Sequence, residues 1–315
     1  MEWYETVKLA EGVVAVIDRD GGWFKSNSLL VDMGGYTLLV DTQYNEARAR
    51  TLLEVARREN MPPIRLIVNT HHHGDHAWGN HVFEAPSIMH RGAASMVEKL
   101  LPLGPDLYKP FFPDLDFTGA RYTRPTIVVD GALEIQGEKR RARIVPYTPA
   151  HTIGDIVVEL PDDRILAAGD LVFNRVTPLA LDGTVKGWLE KLEELESNYA
   201  GWKIVPGHGP VADVGAVKMM KMYFRHLVGS VSYLLEHGMP RDPLRLAENA
   251  TPGPLIGWKE QERLVLNIAR LLMDLEGRPP GAPVEDLPRL AQAMVEYRRI
   301  FEEQKRRGFP QPPVG

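Results

Sequence analysis

Six consecutive residues, His71-His72-His73-Gly74-Asp75-His76, carry four side chains able to hold divalent cations. In an extended segment alternate residues point the same way, so His71 and His73 can reach one cation together. Gly74 then lets the chain turn, and Asp75 and His76 can face a second cation nearby. Without metal, such a cluster leaves partly buried imidazole and carboxylate unpaired, and a divalent cation removes that cost. His72 alternates away from the ligands, which gives it a packing or supporting role. Three more candidates each follow a predicted strand: His151 in Pro149-Ala150-His151-Thr152, Asp170 in Ala168-Gly169-Asp170, and His208 in Pro206-Gly207-His208-Gly209. Gly and Pro beside a single ligand supply the tight turn that aims it into a cleft. The sequence has no cysteine, which excludes disulfides, thiolate metal sites and a Cys nucleophile. Nitrogen and oxygen ligands suit zinc, and also iron or manganese.

Short β-prone runs at Val13–Ile17, Ser28–Asp32 and Thr37–Asp41 open the chain, with Gly34-Gly35 as the hairpin turn between the last two. Helical spacing at Glu46–Arg58 precedes a buried strand, Ile64–Val68, which runs into the histidine cluster. A helix is predicted over Gly92–Leu100. Strands are predicted at Thr126–Val129, Leu133–Ile135, Ala142–Pro146, Ile156–Leu160, Ile165–Ala168 and Lys203–Pro206, with a helix at Gly187–Leu195. From Val214 onward the pattern is helical: Val214–His237, Lys259–Leu275 and Glu285–Arg307, followed by Gly238, Gly277 and Gly308 as stop signals. Residues 101–125 form a loop-like, aromatic insertion, and long irregular loops in compact domains commonly serve as lids.

Hydrophobic content of 44% and charged content of 25% over 315 residues match an ordinary globular chain. The net charge of −5 comes without a basic stripe, which disfavours nucleic acid as a partner. No apolar stretch approaches the ~20 residues of a membrane span. The N-terminus lacks a basic region followed by an apolar run, so a cytoplasmic protein is expected.

The ordered set His71, His73, Asp75, His76, His151, Asp170 and His208 resembles the metallo-β-lactamase superfamily, whose motif is His-x-His-x-Asp-His followed by a distant His, an Asp and a final His. The resemblance covers about residues 10–210. Ala150-His151-Thr152 stands where Gly-His-Thr is usual, and Asp155 where Ser is common; neither change removes a ligand. The resemblance implies an α/β fold, the αββα four-layer sandwich, with C-terminal helices added. It implies two metal ions: His71, His73 and His151 on the first, Asp75, His76 and His208 on the second, Asp170 bridging. Two cations ~3.5–4 Å apart lower the pKa of a shared water from ~15.7 toward ~7, producing a nucleophile for a carbonyl or phosphorus centre. Asp75 would orient that nucleophile or carry its proton.

Absence of Cys separates the chain from β-lactamases with a Cys ligand, and the carboxylate at Asp170 from the others. His73 stands where the diiron flavoproteins have Glu, and the full second ligand set differs from mononuclear sulfur dioxygenases. A hydrolase of a small ester, thioester or lactone is expected. A phosphodiesterase acting on a nucleotide or nucleic acid, a promiscuous β-lactamase and a non-catalytic metal-binding scaffold are the alternatives. Residues 1–212 form the expected catalytic domain and residues 213–315 a helical extension docked on it. Trp23 and Phe24, beside Gly21-Gly22, are read as an exposed aromatic tip folding over substrate. Tyr108, Phe111 and Phe112 are read as pocket wall or insertion core. Asp41 is either a support for the ligands or a strand cap, and His81 and His90 either support ligands or pack. His226 and His237 have no expected catalytic role. Leu287, Leu290, Met294, Tyr297 and Phe301 make a 3-4 seam that docks on the body, with a homodimer as an added possibility.

Overall fold

The central strands of this chain are buried on both faces because each sheet is covered there on both sides. The computed structural model describes residues 2–250 and 257–307. A seven-stranded sheet runs β1 (Tyr4–Ala10), β2 (Val13–Asp18), β3 (Ser28–Asp32), β4 (Thr37–Val40), β5 (Ile64–Val68), β6 (Ser87–His90) and β7 (Ile127–Val129) in spatial order. A five-stranded sheet has the order β12 (Lys203–His208), β11 (Ile165–Phe173), β10 (Ile156–Leu160), β9 (Arg141–Pro146) and β8 (Leu133–Gln136). Neighbours from β4 to β7 pair in parallel, as do β11 and β12; the other pairs are antiparallel.

The two-residue period of a strand sorts its side chains between layers. Val13, Ala15 and Ile17 of β2, Leu29 and Val31 of β3, and Leu38 and Val40 of β4 face inward. There they meet Ile156 and Val158 of β10 and Ile165 and Ala167 of β11 in the core between the sheets. Val14, Val16, Leu30 and Leu39 face the other way, against Ala49, Leu52 and Val55 of helix α1 (Glu46–Arg58). On the far sheet, Val157, Leu166, Ala168 and Ile204 turn outward to Trp188, Leu192 and Leu195 of α4 (Val185–Asn198). The layers are therefore helix, sheet, sheet, helix.

The same outer cluster takes in the later helices: α5 (Val214–Glu236), α6 (Pro243–Asn249), α7 (Arg263–Leu275) and α8 (Leu287–Arg307). From the seam of α8, Leu290, Tyr297 and Phe301 are buried in it and Met294 packs against it, whereas Leu287 is largely exposed. Two short helices, α2 (Gly74–Ala77) and α3 (Arg91–Leu100), lie near the histidine cluster.

Several elements depart from the sequence-based expectation. β1, β6 and α6 were not expected, and the helix predicted from Lys259 begins at Arg263. β11 does not stop at Ala168 but continues to Phe173. Gly169, read as a terminator, adopts φ 52° at a register shift against β12, so the strand bends there and carries on. The Gly308 stop signal lies outside the described residues.

Candidate metal centre

The histidine-rich stretch sits at the end of parallel strand β5, where the backbone leaves the sheet and enters the single turn of α2. His71, His73, His151 and Asp170 offer ligand atoms all within 4.8 Å of one another, and so do Asp75, His76 and His208. Asp170 touches both groups: its Oδ1 is 3.1 Å from His76 Nε2, and its Oδ2 is 3.4 Å from His151 Nε2 and 3.5 Å from His208 Nε2. Gly207 is required beside it, since a Cβ there would lie 1.8 Å from Asp170 Oδ1.

The protons of the five imidazoles can be assigned from their outer partners. His151 Nδ1 faces the Leu179 carbonyl at 2.9 Å and His208 Nδ1 faces the Gly21 carbonyl at 3.1 Å. A carbonyl only accepts, so both Nδ1 atoms carry hydrogen. His73 Nε2 donates to Asp182 (2.9 Å) and His76 Nδ1 to Asp41 (2.7 Å). Thr70 Oγ1 gives its proton to Asp41 (2.8 Å) and so accepts from His71 Nδ1 (3.1 Å). Each neutral ring then presents its remaining nitrogen inward as a lone pair. His73 Nδ1 and His151 Nε2 stand 3.0 Å apart in this state. Two lone pairs at that distance repel unless a cation or a proton lies between them. His71 Nε2 is buried with no hydrogen-bond partner, at a cost of about 1–3 kcal/mol if left so, and His76 Nε2 faces only Asp170 Oδ1. The donor set fits divalent metal, and the outer partners fix each ring in the tautomer that ligation needs.

The charge balance points the same way. Burial lowers the His151 imidazolium to about 3 and drives that of His71 well down. Burial also works against a proton on His208, but Asp170 and Asp75 outweigh it and hold this group up at about 9. His76 is likewise raised, with Asp170, Asp41 and Asp75 overcoming burial. Burial would raise Asp75, yet His76 and His208 pull it down to about 2. The carboxylates thus favour protons on His76 and His208, and His73 is raised as well, with Asp182, Asp75 and Asp170 overcoming burial.

Supporting residues come from both sheets. Asp41, at φ 60°, accepts from Thr70 N, Thr70 Oγ1 and His76 Nδ1, so it braces the His76 ring as well as ending its strand. Asn27 donates to the Pro206 and Gly209 carbonyls on either side of His208, and Ser26 Oγ donates to the Asp75 carbonyl (2.6 Å). Asp155 accepts from Thr152 N and Oγ1, tightening the turn that presents His151. Asp182 was missed in the sequence because a lone Asp before Gly183 reads as an ordinary turn. Fully buried His72 keeps its Nε2 3.6 Å from the same carboxylate. His81 donates to the Trp78 carbonyl and His90 caps α3; His226 and His237 lie on or at the end of α5. None of the four joins the ligand groups.

The aromatic residues divide. Phe24 is not an exposed tip: at φ 59° it turns its ring into a cluster with Trp78, Phe117, Tyr108 and Phe112, and only 9% of it is accessible. Trp23 is half-buried. Its ring lies 5.2 Å from Phe112 and 4.3 Å from the Arg263 guanidinium, and its Nε1 donates to Glu262 (3.1 Å). Lys259 ties the same loop by bonding Asp20, and Arg298 of α8 pairs with Glu262. In the insertion, Phe117 and Tyr122 are buried, Tyr108 and Phe112 partly so, and Phe111 is exposed.

A family model described as the metallo-β-lactamase superfamily matches residues 21–208. The chain is 26% identical over 239 residues to a β-lactamase-like protein 2 homolog of Caenorhabditis elegans, covering 75% of this chain and 70% of the relative. It is 25% identical over 242 residues to an acyl-coenzyme A thioesterase of Bos taurus, covering 66% of this chain and 82% of the relative. Among solved structures, a metallo-β-lactamase from Pontibacter korlensis aligns with a TM-score of 0.59 at 19% identity, over 70% of this chain and 99% of that one. At that identity the structural likeness speaks to the fold alone.

Proposed function

The chain belongs to the metallo-β-lactamase superfamily and is a hydrolase, and from that premise we propose that it cleaves a thioester, or a related ester or lactone, with two divalent ions held by seven side chains. His71, His73 and His151 would hold the first ion, Asp75, His76 and His208 the second, and Asp170 both. Zinc is the favoured metal, with iron or manganese compatible with the same donors. Bound metal supplies a Lewis acid and a water acidified toward neutrality. The observation that carries the reading is the set of inward nitrogens, on five clustered rings, whose opposite nitrogens are all committed to outer partners.

The protein's own contribution is orientation and proton handling. Asp75, which His76 and His208 hold ionised, would orient the attacking water or carry its proton. Asp182 and Asp41 hold rings in place rather than touching substrate. Trp23, Tyr108 and Phe112, backed by Phe24, form an apolar wall suited to an acyl chain, and residues 101–125 act as a lid. Residues 1–212 form the catalytic unit, with 213–315 as its extension. The thioesterase name of one relative supports a thioester carbonyl. A homodimer would use the face of α8 left open at Leu287 and Val295; a strict monomer by light scattering would discard it. Among the described residues, no helix is long and apolar enough to cross a membrane.

The test is a panel of acyl thioesters, p-nitrophenyl esters and lactones against bis-p-nitrophenyl phosphate. Thioester hydrolysis should vanish with a chelator and return with zinc. Full turnover by metal-free protein, or activity confined to the phosphodiester, would defeat the proposal.

A further inference from the structure

Helix α7 lies beyond the region matched by the family model, yet one of its side chains reaches the back of the metal centre. Asn267 is fully buried in the middle of this helix, between Leu266 and Ile268. Asn is a poor helix former, and a buried amide is costly unless its polar atoms are used. These are used. Oδ1 accepts from Ala180 N (2.7 Å), and Nδ2 donates to the Pro178 carbonyl (2.9 Å) and to Tyr223 OH (2.6 Å). Pro178 and Ala180 flank Leu179, whose carbonyl accepts from His151 Nδ1. Fixing the backbone on both sides fixes the direction of the Leu179 carbonyl. That direction decides which nitrogen of His151 carries hydrogen and where its other nitrogen points.

The surrounding bonds make the loop a dependent of the C-terminal region. Thr177 N donates to the Lys259 carbonyl (2.9 Å), and Arg263 Nη1 donates to the Thr177 carbonyl (2.9 Å). Farther along, Asp274 accepts from Thr184 Oγ1 (3.0 Å) and Val185 N (2.7 Å). Between these anchors lie Leu179 and Asp182, the partners of His151 and His73.

We propose that Asn267 is a positioning residue for His151, acting through the Leu179 carbonyl. Its effect on metal affinity rests on the reading of His151 as a ligand; its effect on the ring's tautomer does not.

Two measurements test this. Zinc titration of the full chain against a chelating indicator should resolve two steps in the wild type. Asn267→Ala should weaken by about 10- to 100-fold the step that His151→Ala removes, leaving the other unchanged. Separately, long-range 1H–15N spectra of metal-free protein labelled at histidine, with His151 assigned by its loss in His151→Gln, should show a single Nδ1–H tautomer. Asn267→Ala should admix the Nε2–H form. Should that variant not fold, Asn267→Asp keeps the acceptor for Ala180 N, loses the donor to Pro178, and should give an intermediate shift. An unchanged His151 tautomer in the variants overturns the proposal, as does equal weakening of both zinc steps; a lower melting temperature alone marks a packing role and does the same. If the wild type takes up no zinc, the hydrolase reading fails, and the tautomer measurement alone decides the role of Asn267.

Discussion

The ligand group around His151 and the group around His208 lean on different backing. Behind His71, His73 and His151 stand a hydroxyl, the Asp182 carboxylate and the Leu179 carbonyl. The last two lie in a loop that is itself bonded to α7. Behind His76 and His208 stand Asp41 and the Gly21 carbonyl, and Asp75 and Asp170 face these rings from the front. The second group is therefore the more anionic. It favours protons on both His76 and His208, whereas in the first group only His73 is raised, chiefly by Asp182, and burial keeps His151 and His71 neutral. The His76–His208 side is balanced mainly by charge, and the His151 ring is set by backbone geometry.

The largest expected effect is the one that erases this difference. Asp170→Asn removes the carboxylate shared by both groups, so both zinc steps should be lost and thioester turnover should fall by roughly 10³-fold, about 4 kcal/mol of transition-state stabilisation. Gly207→Ala should mimic it without replacing a ligand residue, because the new Cβ would push Asp170 Oδ1 aside. Loss of only one step would mean that the two groups are independent.

Next come the outer carboxylates, which should separate the sides. Asp182→Asn should weaken the His71–His73–His151 step by about 10- to 100-fold and spare the other; Asp41→Asn should weaken the His76–His208 step by as much, and the other step less, through Thr70 and His71. Calorimetric zinc titration reads both.

A third prediction uses pH. His208 must shed a proton before it can ligate, and without metal that proton is held up to about pH 9. Affinity of the second step should therefore fall as pH drops below about 9, roughly tenfold per unit for each proton displaced. His151 is already neutral across this range and contributes no slope. Equal proton release from both steps in buffers of different ionisation enthalpy would contradict the contrast. Smallest of all, Phe111→Ala should leave both zinc steps intact and change stability by no more than about 0.5 kcal/mol, since the ring is largely exposed.

The ligand types were legible because His and Asp are distinctive and cluster in one short run or stand singly beside Gly or Pro, although Asp170 lies within β11 rather than at its end. What orients them was not. Backbone carbonyls such as those of Gly21 and Leu179 leave no trace in residue identity, and Asn267 is hidden inside a helical pattern that reads as apolar. The layered architecture was expected from the family resemblance alone, and β6 is too short and β1 too weakly alternating to stand out. Phe24 was misread because its glycine neighbours announce a turn without saying which way the ring folds.

Trp23 and Glu262 are bonded although 239 positions separate them, and Asp20 and Lys259 fasten the same place. Mechanically the chain is belted. Pulled from its two ends, it would take load through β1 and β2 at one end and α8 at the other, and both paths meet at this buckle. The strands that carry the ligands would feel tension only after it opened.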